Sequence, residues 1–148
     1  MTTSALARGG DDLPDWHELT AAFRAAFGSG GAATEHPVTA CACQLARVHR
    51  QPCPRRRTVV ARRRARLIAA IDAWAAEHVR GPARVGSIGA YVDRMAAAAA
   101  AAHQALHSGE PVSGMVHMAF TDAAALAAGW TEIALEVAPR AYGIGVDQ

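Results

Sequence analysis

Apolar residues recur at three- and four-residue intervals along most of the chain, the period of helices that each bury one face. Trp16, Leu19, Phe23 and Phe27 inscribe the first such face, behind Leu13-Pro14-Asp15, where Asp15 suits the N-cap. Gly28-Ser29-Gly30-Gly31 ends this helix. A second starts near Thr34 to Pro37, because proline is tolerated in a first turn, and carries Val38, Cys41, Leu45 and Val48. Pro52 and Pro54 stop it, since each lacks an N–H and collides with the preceding turn.

The third and longest helix runs from about Arg56 to Val79, with Val60, Leu67, Ile71, Trp74 and His78 on its stripe and Gly81-Pro82 as its stop. Ser87 caps a fourth, which carries Ile88, Val92, Met95, Ala99 and Leu106 and closes at Gly109-Glu110-Pro111. The fifth, from about Ser113 to Ala138, carries Met115, Met118, Leu126, Trp130, Ile133 and Val137 before Pro139. Short breaks favour antiparallel neighbours, and no strand-period alternation competes. The pattern predicts an all-α fold, an antiparallel bundle of about five helices over residues 13–139, with a flexible N-terminus at 1–12 and a tail at 140–148.

Composition narrows the kind of bundle. The 148 residues suit one domain that needs no disulfide or metal staple. Hydrophobic residues make up 51%, but alanine supplies about half of them and aromatics only 5%, so the helices must be thin and closely packed. The longest apolar stretch, Met95 to Ala102, is far short of the roughly 20 residues that span a bilayer. Met1 to Asp12 lacks the basic start and apolar run of a secretory signal, so a cytoplasmic protein without a membrane partner is expected. Cys41, Cys43 and Cys53 are odd in number. A Cys-x-Cys pair on a helix points its thiols about 200° apart, so buried small hydrophobes are expected, not a zinc or redox pair.

Charge is where chemistry enters. The net charge is only +2, and all fifteen basic residues are arginine. Seven of them, Arg55, Arg56, Arg57, Arg62, Arg63, Arg64 and Arg66, fall at the start of the third helix. Positions 55, 62 and 66 share one face, as do 56 and 63. Guanidinium forks suit phosphate, sulfate or carboxylate, so Arg56, Arg57, Arg62 and Arg63 are candidates for docking an acidic or related protein chain. A plain solvated face is the competing reading. Nucleic acid is disfavoured because no aromatic residues interleave with the arginines.

Three acids stand in helix interiors. Asp93 and Arg94 are adjacent in Val92-Asp93-Arg94-Met95, Asp72 follows Ile71, and Glu136 precedes Val137. They make either a structural ion-pair network or a polar cavity between helices. His36, His49 and His117 sit at or beside interior stripes and are each a general base or a hydrogen-bonded core histidine. The candidate catalytic set is therefore Asp93, Arg94, His49, Asp72 and His117, with Arg47, Tyr91, Arg64 and Glu136 as candidate substrate contacts. His103 and His107 have metal-ligand spacing but no accompanying Glu-x-x-His, so neither a metal nor another cofactor is expected.

At these positions the chain resembles the family called domain of unknown function 4254, particularly its actinobacterial branch. The resemblance rests on His36-Pro37 with Leu45-Ala46 and His49, on Arg64-x-Arg66-Leu67-Ile68-x-x-Ile71-Asp72-x-Trp74, and on Ile88-Gly89 followed by Val92-Asp93-Arg94-Met95-Ala96. A fourth piece is His117-x-Ala119-Phe120 through Leu126, Trp130, Glu132-Ile133 and Glu136-Val137. It implies a helical bundle of actinobacterial origin, without a settled activity. The family pattern has acids where this chain has Ala61, Gly86 and Ala125, which marks a divergent paralogue or a subunit completed by a related chain; neutral drift is the alternative.

Two functions are compatible with this equipment. One is a small enzyme, or a subunit of a heteromeric enzyme, in actinobacterial specialised-metabolite (antibiotic) biosynthesis. Lacking a nucleophile motif, phosphate loop or metal signature, it would work by positioning and proton transfer. Elimination or intramolecular displacement on an anionic small molecule fits, for example aziridine formation by sulfate elimination. The other is a non-enzymatic helical adaptor that docks an acidic partner or carrier protein on its arginine face.

Overall fold

The computed structural model describes residues 12–28, 36–50, 54–80, 86–108 and 113–139. The expected lead-in before Asp12, the tail from Arg140, Cys53, and the breaks at Ser29 to Gly31, Gly81-Pro82 and Gly109 to Pro111 lie outside the described residues. Among the described residues five α-helices pack against one another: α1 (Trp16–Ala26), α2 (Pro37–Arg50), α3 (Arg57–His78), α4 (Ile88–Leu106) and α5 (Ser113–Glu136). A single 3₁₀ turn, Pro54–Arg56, leads into α3. The fold is an all-α bundle, as the hydrophobic spacing predicts.

Local chemistry explains where the helices begin. Asp15 accepts the Glu18 N–H at 2.8 Å, and the Glu18 carboxylate accepts the Asp15 N–H at 3.0 Å, a reciprocal cap at the start of α1. At α2 the capping group is a histidine. His36 Nδ1 accepts the Val38 N–H at 3.0 Å, while Nε2 lies 2.9 Å from the Asp12 carbonyl. Ser87 caps α4 by accepting the Ala90 N–H at 2.9 Å.

The core draws Leu19 and Phe23 from α1, Val38 and Leu45 from α2, Ile71 and Trp74 from α3, Val92 and Met95 from α4, and Trp130 from α5. α4 is the central element and touches each of the other four helices. Its alanines 96, 100 and 102 are buried, so the alanine run is where neighbours approach closely. Gly89 brings two main chains together: a side chain there would run into the Ile68 carbonyl of α3.

α5 is attached mainly to α4. Trp130 is fully buried and donates its indole N–H to the Pro14 carbonyl at 2.8 Å, tying the last helix to the segment before the first. Tyr91 donates its hydroxyl to the Leu126 carbonyl at 2.8 Å and lies against Gly129.

The apolar stripes differ from expectation at their ends. Trp16, Leu106, Met115 and Met118 are exposed, the last two at 64% and 66%. The inward face of α5 instead runs through Val116, Ala119, Ala123 and Trp130, which are less exposed, so the methionine stripe is offset from the side that packs. A second difference is a two-residue antiparallel pairing, Val79 with Pro139 and Arg80 with Ala138, which joins the chain after α3 to the chain after α5. Two residues are too few for an alternating pattern.

Candidate functional site

Asp93 faces inward from the first half of α4 and gathers one nitrogen-bearing side chain from each of two neighbouring helices. His49, in the last turn of α2, places Nε2 at 2.8 Å from Asp93 Oδ1. Arg64, in the first half of α3, donates from Nη2 to Oδ2 at 2.6 Å and from Nε to Oδ1 at 3.3 Å, a forked arrangement. Both carboxylate oxygens are therefore engaged.

Exposure increases outward across the cluster: the side chain of Asp93 is 8% exposed, His49 19% and Arg64 40%. Burial alone would push the Asp93 carboxyl up. The hydrogen bonds and charges of His49 and Arg64 outweigh it and hold the group at about 2, so Asp93 is a carboxylate at neutral pH. The same hydrogen bond raises the Arg64 guanidinium above its ordinary value.

An ionised Asp93 can only accept, so His49 Nε2 carries the proton. That leaves Nδ1 of a neutral ring as a lone pair, with no partner among the described residues. A buried carboxylate that fixes the tautomer of a half-buried imidazole is the geometry of an oriented general base. Arg64 adds a partly exposed guanidinium beside it, with donors left over after the fork to Asp93.

The other candidates separate from this cluster. Asp72 lies on α3 at the start of α4, where it accepts from Ser87 Oγ at 2.6 Å and from the Gly89 N–H at 2.7 Å; it secures a helix terminus. Arg94, next to Asp93 in sequence, is exposed, with its guanidinium 5.6 Å from the centre of the Tyr91 ring. Tyr91 is committed to α5, and burial pushes its phenol up. Arg47, His117 and Glu136 are exposed, His117 in contrast to the interior edge expected of it. Arg56, Arg57, Arg62 and Arg63 are exposed on α3 and the turn before it, and Arg63 donates to Gln44 Oε1 at 3.0 Å.

Sequence spacing identified Asp93, His49 and Arg64 separately, but not their convergence. Gln44 as the rest for Arg63 was not foreseen, although its place one turn before Val48 on α2 was the available signal. His103 and His107 stack with ring centres 4.3 Å apart, and no group of three potential metal ligands occurs among the described residues. Cys41 and Cys43 are free thiols, the first partly buried and the second buried, and burial pushes Cys41 up, away from its thiolate. Among the described residues no helix is long and apolar enough to cross a membrane. Comparison with protein-family models, with curated proteins and with solved structures found no match for this chain.

Proposed function

We propose that the chain is a small cytoplasmic enzyme, or the subunit of a heteromeric enzyme, that performs proton transfer on an anionic small molecule at His49. The observation that carries this reading is the pairing of His49 Nε2 with the buried Asp93 carboxylate, which leaves the Nδ1 lone pair to accept a proton near Arg64. His49 is the base, Asp93 holds its tautomer and orientation, and Arg64 receives the anionic group. The resemblance of its motifs to the domain of unknown function 4254 family favours a setting in actinobacterial specialised metabolism.

An intramolecular displacement suits this equipment. His49 Nδ1 takes a proton from an attacking amine, the nitrogen lone pair forms the new C–N bond, and the C–O bond to sulfate breaks with its electron pair leaving on sulfate. Arg64 meets the departing charge. Closing an aziridine from a vicinal amino sulfate is the simplest case. The test is anion release from a panel of vicinal amino sulfates and amino phosphates. Wild-type protein should turn over at least one, and His49→Gln should lose about 100-fold or more in kcat while remaining folded. No release by wild-type protein across the panel, or full activity in His49→Gln, overturns the reading.

A further inference from the structure

The outer face of α3 has a composition that neither the core nor the His49 site uses. Val59 is 62% exposed and precedes Arg62 by three residues and Arg66 by seven, so these three side chains share one face of the helix, with Arg55 exposed in the 3₁₀ turn just before it. The exposed Ala69 and Ala73 continue that face along the helix. No acidic residue occurs between Pro54 and Ile71. Of the seven arginines here, Arg64 meets a carboxylate and Arg63 an amide oxygen; the others have no acidic partner among the described residues.

We infer that this face docks a helix of an acidic partner protein, one that carries carboxylates at helical spacing around an aliphatic residue. Charge complementarity selects an acidic surface, because five guanidinium groups in one segment, without an acidic partner among the described residues, attract carboxylates and repel a basic surface. A second copy related by a twofold axis would set arginine against arginine. Val59 selects protein: a β-branched aliphatic side chain gains nothing on a solvated helix surface, and it gains when an apolar residue covers it. The alanines beyond Arg66 let a partner backbone come close, as helix–helix packing requires. No exposed aromatic residue on α3 offers a base-stacking platform. This face lies away from Arg64 and the His49 site, so the inference stands apart from the proposed activity.

The probe is a fluorescent, alanine-based helical peptide with glutamates at four-residue spacing and leucines between them, compared with a leucine-to-serine counterpart and with single-stranded DNA of equal charge. The leucine peptide should bind roughly tenfold more tightly than the serine peptide. Val59→Ser should erase that difference, and Arg62→Gln with Arg66→Gln should weaken both peptides. Both should weaken as salt rises, since screening sets in within about 10 Å at 0.1 M. These residues are exposed, so the variants should keep the wild-type circular dichroism spectrum. Equal binding of the two peptides, equally tight binding of the DNA, or self-association that Val59→Ser abolishes would each overturn the inference.

Discussion

The carboxylate of Asp72 accepts the main-chain N–H of Gly89 at 2.7 Å, so a residue from the body of α3 closes the beginning of α4. Its other oxygen takes the Ser87 hydroxyl, the same side chain that caps Ala90. A negative charge at a helix N-terminus is favourable on dipole grounds as well. Asp72→Ala should therefore lower unfolding free energy by about 1–2 kcal/mol. Asp72→Asn, which keeps an acceptor, should recover part of the loss. Urea denaturation of the two variants checks both.

Asp93 makes stability depend on acid. Its folded pKa of about 2 lies below the ordinary 3.8, so the unfolded chain binds the proton more readily. The stabilisation is fully present above pH 3.8 and disappears as pH falls through about 2. The difference corresponds to about 2 kcal/mol. Asp93→Asn should flatten this part of the pH–stability curve, as followed by chemical denaturation from mildly acidic pH down to about 2. An unchanged slope would mean that the carboxylate is not tied down as described.

Gly89 and Gly114 should respond in opposite directions to the same substitution. A methyl group at Gly89 meets the Ile68 main chain, which cannot turn aside as a side chain can. Gly89→Ala should cost about 1–3 kcal/mol by prising α3 from α4. Gly114 lies in α5 with nothing within 4 Å of the added atom, so Gly114→Ala should stabilise by up to about 1 kcal/mol. Thermal unfolding of the pair reads both signs.

Trp130 joins α5 to the chain ahead of α1 through one buried hydrogen bond. Trp130→Phe preserves an aromatic ring but strands the Pro14 carbonyl, and should cost about 1–3 kcal/mol. Loss of protection at the Asp15 amide in hydrogen exchange would locate the effect.

The five helices were legible because each stripe has its own start or stop chemistry: Asp15, Pro37 and Ser87 at the beginnings, Pro52 and Gly81 beyond the ends. Asp93 was legible as an inward acid because Val92 and Met95 flank it on the buried side. Its partners were not, since the meeting of His49 with Asp93 joins residues 44 positions apart and depends on how three helices cross. The opposite fates of Asp93 and Arg94 follow from the roughly 100° turn between neighbours, a distinction blurred when the pair is read as one ionisable unit. Met115 and Met118 failed for a different reason: they stand about 60° and about 120° round α5 from the buried Trp130, whereas the smaller Val116, Ala119 and Ala123 share its face, and size drew the stripe onto the wrong side.

That last placement sorts the methionines chemically. Met95 is buried at 5% exposure, whereas Met115 and Met118 stand in solvent at the start of α5. An oxidant reaches the outer thioethers first, and a sulfoxide there adds a polar group to a surface without disturbing the packed interior. Peroxide should thus modify Met115 and Met118 in the folded protein while Met95 stays reduced until the bundle opens, so that peptide mass spectrometry of Met95 oxidation becomes a clock for unfolding.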